Sequence, residues 1–398
     1  MRQTVRTNKA ECTGCGACVS ICPKKAITMI PDEEGFLYPS VNQDLCISCD
    51  LCEKRCPVGH EHPEKDVTML GAQHQDEEVR RLSSSGGVFT ALARNMIDQG
   101  GVVFGAVFDE HLHVEHVGAI NEAEFSAMRG SKYVQSDAAE GISNAVSLLA
   151  RGMPVLFSGT PCQVDGLLAA VREKDKNNLL TVDFVCHGVP SPGVFASYLK
   201  ELENKHGKRV VAYTFRDKRL GWKNFSAVAT FEDGSEISGT QTDEPYLYGF
   251  LQNLYLRPSC GQCNALRGKK HASDITIADF WGAQEICPER DNDTGISLII
   301  INTEKGKRVI EEADVQLTTF AADTDRMLRY NPSIEVPAVM HKKRAAFFRH
   351  YQREGFCAER VMKMLQPPSR LQYIVFRILH LPIGALRRIK RLFCTKEK

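Results

Sequence analysis

The stretch that decides the N-terminal fold is CTGCGACVSICP, residues 12–23, and it returns as CISCDLCEKRCP at residues 46–57. Both runs space their cysteines as C-x2-C-x2-C-x3-C, and a proline follows each run. This is the spacing of thiolates that bind two 4Fe–4S clusters, in which the fourth cysteine of each run ligates the cluster of the other run. We therefore expect the chain to conduct single electrons.

The same spacing is typical of bacterial two-cluster ferredoxins. Each C-x3-C segment predicts a short helix, and residues 27–30 and 36–41 predict strands, so we expect an α+β ferredoxin-like module over residues 1–62. The crossed ligation predicts cluster A on Cys12, Cys15, Cys18 and Cys56, and cluster B on Cys46, Cys49, Cys52 and Cys22.

Composition places the chain among ordinary globular proteins. Its 398 residues are 43% hydrophobic and 25% charged, which allows two or three domains. The net charge of +1 gives no reason to expect nucleic acid as a partner. We expect neither a secretory signal nor a transmembrane helix, because no apolar run of sufficient length is found. With the ferredoxin spacing, this favours a reducing cytoplasm over a disulfide-rich exterior.

Beyond the cysteine-rich module, a charged stretch at 63–81 is interpreted as a linker, and an α/β pattern follows over 82–302. Predicted strands there end in loops with special residues, which is where α/β proteins place their chemistry. From 303 to 398 we expect a mostly helical region. Within the α/β domain we predict strands at 102–108, 153–157, 179–185, 210–215, 226–231, 275–277 and 296–301, and helices at 88–96, 164–171 and 193–205.

A second set of cysteines lies in the α/β part. Cys260 and Cys263 form a C-x-x-C pair, which fits zinc, a redox dithiol or chance. Zinc sites of this type normally need a second close pair, and none is present. Cys162 and Cys186 follow predicted strands, so the four thiolates together could hold a third 4Fe–4S cluster. Alternatively, Cys162 and Cys186 are buried apolar cysteines.

Several motifs over roughly residues 75–300 coincide with those of one family. They are Ser84-Ser85-Gly86-Gly87, Arg129-Gly-Ser-Lys-Tyr133, Gly159-Thr-Pro-Cys-Gln163, Cys186-His-Gly-Val-Pro-Ser191, Phe215-Arg-Asp-Lys218, Gly221-Trp222, Cys260-x-x-Cys263 and Asp279-Phe-Trp-Gly282. In these segments the chain resembles the beta subunits of coenzyme F420 hydrogenases and dehydrogenases. The resemblance implies an iron–sulfur flavoprotein that normally carries FAD and at least one further 4Fe–4S cluster. It therefore favours the four-cysteine cluster on Cys162, Cys186, Cys260 and Cys263.

The resemblance also implies a hydride carrier that meets the flavin, which is the deazaflavin coenzyme F420 in archaeal members. A flavin exchanges hydrides with such carriers and single electrons with clusters, so it is the expected link. No G-x-G-x-x-G follows a predicted strand, so we expect the phosphates to be held otherwise. The expected flavin-binding residues are Ser85, Gly86 and Gly87 at a helix start, the basic Arg129 and Lys132, and Ser131, Thr160 and Gln163.

Each of these residues also has a simpler interpretation. The serines could be an ordinary helix N-cap, and Arg129 and Lys132 could lie in a solvated loop. Arg216, Lys218 and Lys223 beside Trp222 form a basic cluster that faces either an acidic ligand or solvent. Asp279 is a candidate polar site residue at a strand end. No residue is assigned as an acid or base, because hydride transfer depends mainly on positioning.

The last segment, residues 371–393, mixes apolar residues with arginines and lysines and is broken by Pro382 and Gly384. Such a basic amphipathic tail fits either peripheral contact with an anionic membrane or docking on protein. We interpret the whole chain as an oxidoreductase that moves electrons between a hydride carrier or reducible substrate at FAD, its 4Fe–4S clusters and a redox partner protein. The alternative is an electron-transfer subunit with clusters but no flavin or substrate.

Overall fold

The computed structural model describes residue 5 and residues 8–263, 268–321 and 323–366. The predicted amphipathic tail at 371–393, its membrane interpretation and Cys394 lie outside the described residues.

The cysteine-rich module, residues 8–62, contains the predicted short helices and strands. Each cysteine run enters its helix through two left-handed residues: Gly14 (φ 69°) and Gly16 (φ 85°) in the first run, Ser48 (φ 52°) and Asp50 (φ 57°) in the second. The duplication is thus preserved in backbone conformation, although the second run accepts the steric cost of a Cβ at φ > 0. The elements are helices α1 (Ala17–Ile21) and α2 (Leu51–Lys54) and the antiparallel strands β1 (Ile27–Pro31) and β2 (Leu37–Val41).

The body of the chain is built on an eight-stranded mixed sheet, and a three-stranded antiparallel sheet packs beside it. The central strands of the eight-stranded sheet are parallel to their neighbours, as the alternation of strands and helices in the sequence predicts. The remaining strands are β3 (Thr68–His74), β4 (Val102–Phe108), β5 (Val114–Ala119), β6 (Val155–Ser158), β7 (Leu179–Phe184), β8 (Val210–Asp217), β9 (Ser226–Phe231), β10 (Glu236–Thr240), β11 (Ile275–Asp279), β12 (Ser297–Ile301) and β13 (Leu317–Ala321).

The large sheet has the order β13-β3-β12-β11-β7-β6-β4-β5, and β8, β9 and β10 form the smaller one. Most predicted elements are confirmed to within three residues, and β4 and β9 match their predicted bounds. The remaining helices are α3 (Glu77–Leu82), α4 (Val88–Asp98), α5 (Glu122–Phe125), α6 (Ala139–Ala150), α7 (Pro161–Ala170), α8 (Pro192–His206), α9 (Pro245–Leu251), α10 (Ala283–Ile286), α11 (Glu304–Glu312), α12 (Thr324–Tyr330), α13 (Arg344–Glu354) and α14 (Ala358–Leu365).

Helices cover both faces of the large sheet. Because successive side chains of a strand point to opposite faces, one strand packs against the helices on both sides. In β4, Val103 packs in the cluster formed with α4, whereas Val102 and Phe104 pack in the cluster formed with α6 and α7. A two-sided burial of this kind explains why the central strands are continuous apolar runs in the sequence.

The structure corrects two boundaries. The stretch interpreted as a linker, 63–81, contains β3 and α3, and β3 pairs with both β12 and β13. The mostly helical region from 303 likewise contributes β13 to the sheet. The sequence of β3 does not look like a strand, because it contains Gly71 where most buried strands carry a large apolar residue. The glycine is needed there, since the ring of Phe320 packs across it and a Cβ would lie 2.3 Å from that ring. The charged flanks of β3 then suggest a linker.

The cysteine-rich module packs directly into the body. Phe36 and Tyr38 belong to the same buried cluster as aromatic residues of the three-stranded sheet and of α13. At Gly35 the two parts touch so closely that a Cβ would lie 2.6 Å from Gly193 Cα. The module is therefore held in one orientation by core packing.

Candidate functional site

A cavity of about 580 Å³ opens at the carboxyl ends of the parallel strands. Its walls come mainly from five segments that are far apart in the sequence. They lie around Ser84, Ser131, Thr160, Cys186 and Asp279. The volume lies within the range of about 300–1,000 Å³ that is usual for cofactor sites. Its position follows the rule that open α/β sheets bind ligands beyond their strand ends.

Helix α4 begins in the cavity wall. Gly87 is its N-cap residue with φ 91° and offers no capping side chain. The N–H of Thr90 donates to the carbonyl oxygen of Gly87 (3.2 Å), which leaves those of Val88 and Phe89 to meet an anion.

Gly86 does not line the cavity. Its N–H donates to Ser297 Oγ (2.9 Å), and a Cβ there would lie 2.4 Å from the carbonyl oxygen of Ala72. Gly86 therefore serves close packing against the sheet.

The serines of this wall are largely engaged with protein atoms. Ser85 Oγ donates to the carbonyl oxygen of Ile296 (2.6 Å), and the hydroxyls of Ser84 and Ser131 lie 2.9 Å apart. The N–H of Ser131 also donates to Ser84 Oγ (2.7 Å). These contacts join two segments of the wall, so Ser85 and Ser131 shape the site more than they offer free hydroxyls.

Arg129 and Lys132 differ in how their charges are met. Arg129 pairs with Glu122 and donates from Nε to Thr90 Oγ1 (3.1 Å). Lys132 Nζ donates to the carbonyl oxygens of Ala127 (2.6 Å) and Arg129 (3.0 Å), and no carboxylate of the described chain pairs with it. Burial lowers the pKa of Lys132 to about 7. A bound phosphate would favour its charged form.

The predicted basic cluster divides into separate roles. Lys218 Nζ donates to the carbonyl oxygens of Arg80, Ser85 and Thr294, and burial with the nearby Arg216 lowers its pKa to about 7. Lys223 pairs with Asp291 (2.7 Å) at the surface. Neither lysine lines the cavity, so the three basic residues do not face one ligand together, and only Arg216 reaches the cavity.

Arg216 does reach the cavity, and there it is bound to Asp279. Their two nitrogen–oxygen contacts are 2.7 and 3.0 Å, and Arg216 Nη1 also donates to the hydroxyl of Tyr133 (3.1 Å). The indole N–H of Trp222 donates to Asp279 (3.2 Å), and its ring stacks on Trp281 at 5.0 Å. Motifs in the sequence indicated Asp279 and Trp222 as site residues, but they did not predict that the rings of Trp222 and Trp281 stack.

Thr160 and Gln163 begin helix α7. Gln163 Oε1 accepts from the Thr160 N–H (3.0 Å), and its amide nitrogen donates to Ser136 Oγ (2.9 Å). Thr160 Oγ1 lies 3.1 Å from Cys162 Sγ. Both residues line the cavity, yet their polar atoms mainly fix the turn that carries Cys162.

A smaller cavity adjoins the large one. Its lining includes four cysteines from three separate stretches: Cys162, Cys186, Cys260 and Cys263. Burial raises the pKa of the Cys162 thiol to about 12, and Cys263 and Cys260 contribute to that rise, so a thiolate here needs positive charge nearby. A four-thiolate donor set of this kind suits a 4Fe–4S cluster.

The two cavities share part of their walls. Cys186, Gly188, Val189 and Ser333 line both. Gly188 adopts φ 128°, which a side chain would disfavour, and a Cβ there would lie 2.9 Å from Leu256. The thin backbone of this loop is thus what separates the large cavity from the four cysteines.

One cavity of the module gathers cysteines from both runs. A third cavity is lined by Cys22 together with Cys46, Cys49 and Cys52. Burial raises the pKa of the Cys18 thiol to about 12, and Cys12, Cys56 and Cys52 contribute to that rise. The lining of this cavity thus matches the four cysteines predicted for cluster B, whereas the grouping of Cys12, Cys15, Cys18 and Cys56 stays a prediction.

Cys15 lies between the module and the body. It is buried, which raises its thiol pKa, and Cys162, Cys18 and Cys12 contribute to that rise. Gly166 on α7 allows this approach, because a Cβ there would lie 3.0 Å from Cys15 Sγ. The first cysteine group is therefore adjacent to the four-cysteine cavity.

Within the described ranges, no three His, Cys, Asp or Glu side chains converge closely enough to hold one metal ion. Each cysteine of a 4Fe–4S cluster binds a different iron, so its four sulfurs stay further apart than ligands around a single ion.

Comparison with protein families separates the cysteine-rich module from the body of the chain. Two models described as "Coenzyme F420 hydrogenase/dehydrogenase, beta subunit" match the chain, the N-terminal one over residues 69–142 and the C-terminal one over 152–325. The chain belongs to the family of coenzyme F420 hydrogenase/dehydrogenase beta subunits. A "4Fe-4S dicluster domain" model matches residues 11–60, so this family member carries a cluster-binding domain before its two beta-type segments. The family resemblance noted from the motifs is confirmed.

Individual relatives of this family member are distant. It is 22% identical over 188 residues to the F subunit of the F(420)H(2) dehydrogenase of Methanosarcina mazei, covering 44% of this chain and 53% of that protein. The chain thus spans about half the length of that curated relative. An uncharacterized ferredoxin of Methanocaldococcus jannaschii is 33% identical over 58 residues, covering 15% of this chain and 74% of the ferredoxin.

Among solved structures, a chain of the F420-reducing NiFe hydrogenase complex from Methanosarcina barkeri is 19% identical, with a TM-score of 0.47. The alignment covers 69% of this chain and 93% of that one. Of the helices in the described ranges, none combines the length and apolarity that crossing a membrane requires.

Proposed function

We propose that this chain is an iron–sulfur flavoprotein oxidoreductase. A flavin, FAD by family resemblance, would occupy the large cavity and exchange hydride equivalents with a carrier or reducible substrate. The observation that carries the proposal is the loop at Cys186–Val189, which lines both this cavity and the four-cysteine cavity. A cofactor that handles two electrons would then lie one backbone loop away from a cluster that handles one.

The donor set supports each cofactor. Cys162, Cys186, Cys260 and Cys263 are the proposed ligands of a third 4Fe–4S cluster. The free N-terminus of α4 at Gly87 and the uncompensated Lys132 are the proposed phosphate contacts of the flavin. We propose residues 68–321, rather than 82–302, as the flavin-binding domain, because β3 and β13 belong to its sheet.

The order of the clusters follows from their neighbours. Cluster A, proposed on Cys12, Cys15, Cys18 and Cys56, lies beside Cys162. Cluster B, proposed on Cys46, Cys49, Cys52 and Cys22, includes the exposed Cys49. We propose the path flavin, third cluster, cluster A, cluster B, with a redox partner protein exchanging electrons at cluster B.

Coenzyme F420 is the first carrier to test, since the family model and one relative bear its name. NAD(P)H is the second. The competing function is an electron-transfer subunit without flavin, which the adjoining cavity of about 580 Å³ argues against.

Anaerobic purification with quantified iron, sulfide and flavin tests the proposal. About twelve irons and one flavin per chain are expected, for three four-iron clusters. Bleaching of the flavin by reduced F420 or NADPH under anaerobic conditions then identifies the carrier. Full iron with no flavin, even after incubation with FAD, would support the electron-transfer alternative instead.

A further inference from the structure

Arg257 is a fully buried arginine at the junction of the module and the body. Its side chain reaches the first cysteine of the module: Nε donates to the carbonyl oxygen of Cys12 (2.8 Å), and Nη2 lies 3.7 Å from Cys12 Sγ. The remaining donors reach Leu37 O (3.0 Å) and Gln135 Oε1 (2.9 Å). The guanidinium therefore spans both parts of the chain.

The backbone of Arg257 is tied to the four-cysteine cavity at the same time. Its N–H donates to the carbonyl oxygen of Val189 (2.9 Å), in the loop shared by both cavities. Its carbonyl oxygen accepts from the N–H of Cys260 (3.0 Å). One residue thus connects Cys12 on one side with the loop and cysteine of the third cluster on the other.

The surroundings of Arg257 are built for a fixed cation. Its guanidinium lies over the ring of Tyr38 at 4.2 Å and near the ring of Phe36 at 5.5 Å. Gly14, with φ 69°, leaves room for it, since a Cβ there would lie 2.8 Å from Arg257 Nη1. No carboxylate of the described chain forms an ion pair with it. A buried charge without a carboxylate requires another anionic partner.

We propose that Arg257 raises the reduction potential of cluster A, and that the anionic partner of its guanidinium is the cysteinyl sulfur of Cys12. A hydrogen bond to a ligand sulfur and a nearby positive charge both stabilise the reduced, more negative cluster. Arg257 is also hydrogen-bonded to Val189 and Cys260, which lie beside the proposed third cluster. The cluster whose potential it raises is therefore the one nearest to that third cluster. Arg257 is a positioning and tuning residue, not a catalytic one.

The inference rests on the proposed cluster ligands, but not on the flavin or on the third cluster. A protein with eight irons and no flavin would refute the proposed function and leave the role of Arg257 at Cys12 open to measurement. Iron content and potentials therefore report separately on the two proposals.

The test is an anaerobic redox titration monitored by electron paramagnetic resonance on the full chain. Arg257→Met removes charge and donors, and Arg257→Lys keeps charge but loses the planar fork. Arg344→Met is the matched control, because Arg344 also ties the module to the body, through Glu34 (3.0 Å) and Leu256 O (2.9 Å), without touching a sulfur.

In iron-replete Arg257→Met we expect one cluster to become at least tenfold harder to reduce, which corresponds to about 59 mV for one electron. Arg257→Lys should shift the same cluster in the same direction by less, and Arg344→Met should not shift it. Should Arg257→Met fail to retain iron, Arg257→Lys alone decides. Unchanged potentials in iron-replete Arg257→Lys and Arg257→Met, or an equal shift in Arg344→Met, would overturn the inference.

Discussion

Arg216 and Asp279 form a two-point ion pair in the wall of the large cavity, with nitrogen–oxygen distances of 2.7 and 3.0 Å. The guanidinium lies 4.0 Å from the ring centre of Phe225, and its side chain is only 3% exposed. Asp279 is the residue that makes this buried charge tolerable, and the indole N–H of Trp222 donates to the same Asp279 oxygen, Oδ1, that Arg216 Nη2 contacts.

Removing one member of this pair should therefore be costly. We expect Asp279→Ala to reduce the free energy of unfolding by about 3–5 kcal/mol, because Arg216 is left buried and unpaired. The double variant Arg216→Met/Asp279→Leu should recover much of that loss. Anaerobic urea unfolding measures both. Glu78→Ala, which breaks an exposed ion pair with Arg81, is the control and should leave the midpoint unchanged. Additive losses in the double variant would contradict this account.

Cys263→Ser should remove the proposed third cluster alone. Iron is expected to fall from about twelve to about eight per chain, with the two ferredoxin-type clusters retained. Cys357→Ser is the matched control, because Cys357 precedes α14 and lines none of the three cavities described above. Iron analysis and electron paramagnetic resonance give the result. Loss of all iron in Cys263→Ser would refute the ligand assignment.

Flavin binding should weaken as the pH rises above about 7. Burial lowers the pKa of Lys132 to about 7, and a phosphate beside its Nζ would raise that pKa again, so binding takes up a proton. Affinity should be level below the free pKa and fall by up to roughly tenfold per pH unit above it. Titration of flavin-free protein with FAD across this range measures the slope.

Two variants locate the group responsible for that slope. Lys132→Met should abolish it and weaken binding at low pH. Lys218→Met should keep it, since Lys218 has the same lowered pKa of about 7 but does not line the cavity. A slope that persists in Lys132→Met would assign the proton to another group.

Thr160→Val should lower the reduction potential of the third cluster with its iron retained. The variant removes a hydroxyl that lies 3.1 Å from Cys162 Sγ and 3.0 Å from Gln163 Oε1. Once Cys162 is a thiolate ligand, it can only accept from this hydroxyl, and such a hydrogen bond raises the potential. The variant should also cost about 1 kcal/mol of stability through the lost helix cap. Thr303→Val removes a comparable cap on α11 and should lower stability without changing any potential. Equal potentials in the two variants would argue against the contact.

Much of this fold was predictable from local patterns. The cysteine spacing predicted the helices of the module and the meeting of Cys22 with Cys46, Cys49 and Cys52, because ligand geometry is encoded by neighbours in sequence. The central strands were found by their apolar runs. β3 was missed, since Gly71 and charged flanks mask it, and its pairing with β12 and β13 depends on residues far along the chain.

The site was predicted less completely, for the same reason. Motifs identified most of the segments that line the large cavity, but not which atoms remain free to bind. The hydroxyl of Ser85 donates to Ile296, and Arg129 pairs with Glu122, which it shares with Arg94, through contacts that only the folded chain creates. Arg257 gave no signal in the sequence, because its partners lie at Cys12, Leu37 and Gln135.

Gly166 allows Cys15 to approach the helix of Cys162, and Gly35 meets Gly193 backbone to backbone. Because the module is seated in a common core, the described chain shows no hinge between the proposed cluster A and the body. Electron transfer between them should then be as fast in glycerol as in water. Only the encounter with the redox partner protein should slow as solvent viscosity rises. Turnover would then consist of a diffusion-controlled step at the surface and an internal electron-transfer step whose rate does not depend on viscosity.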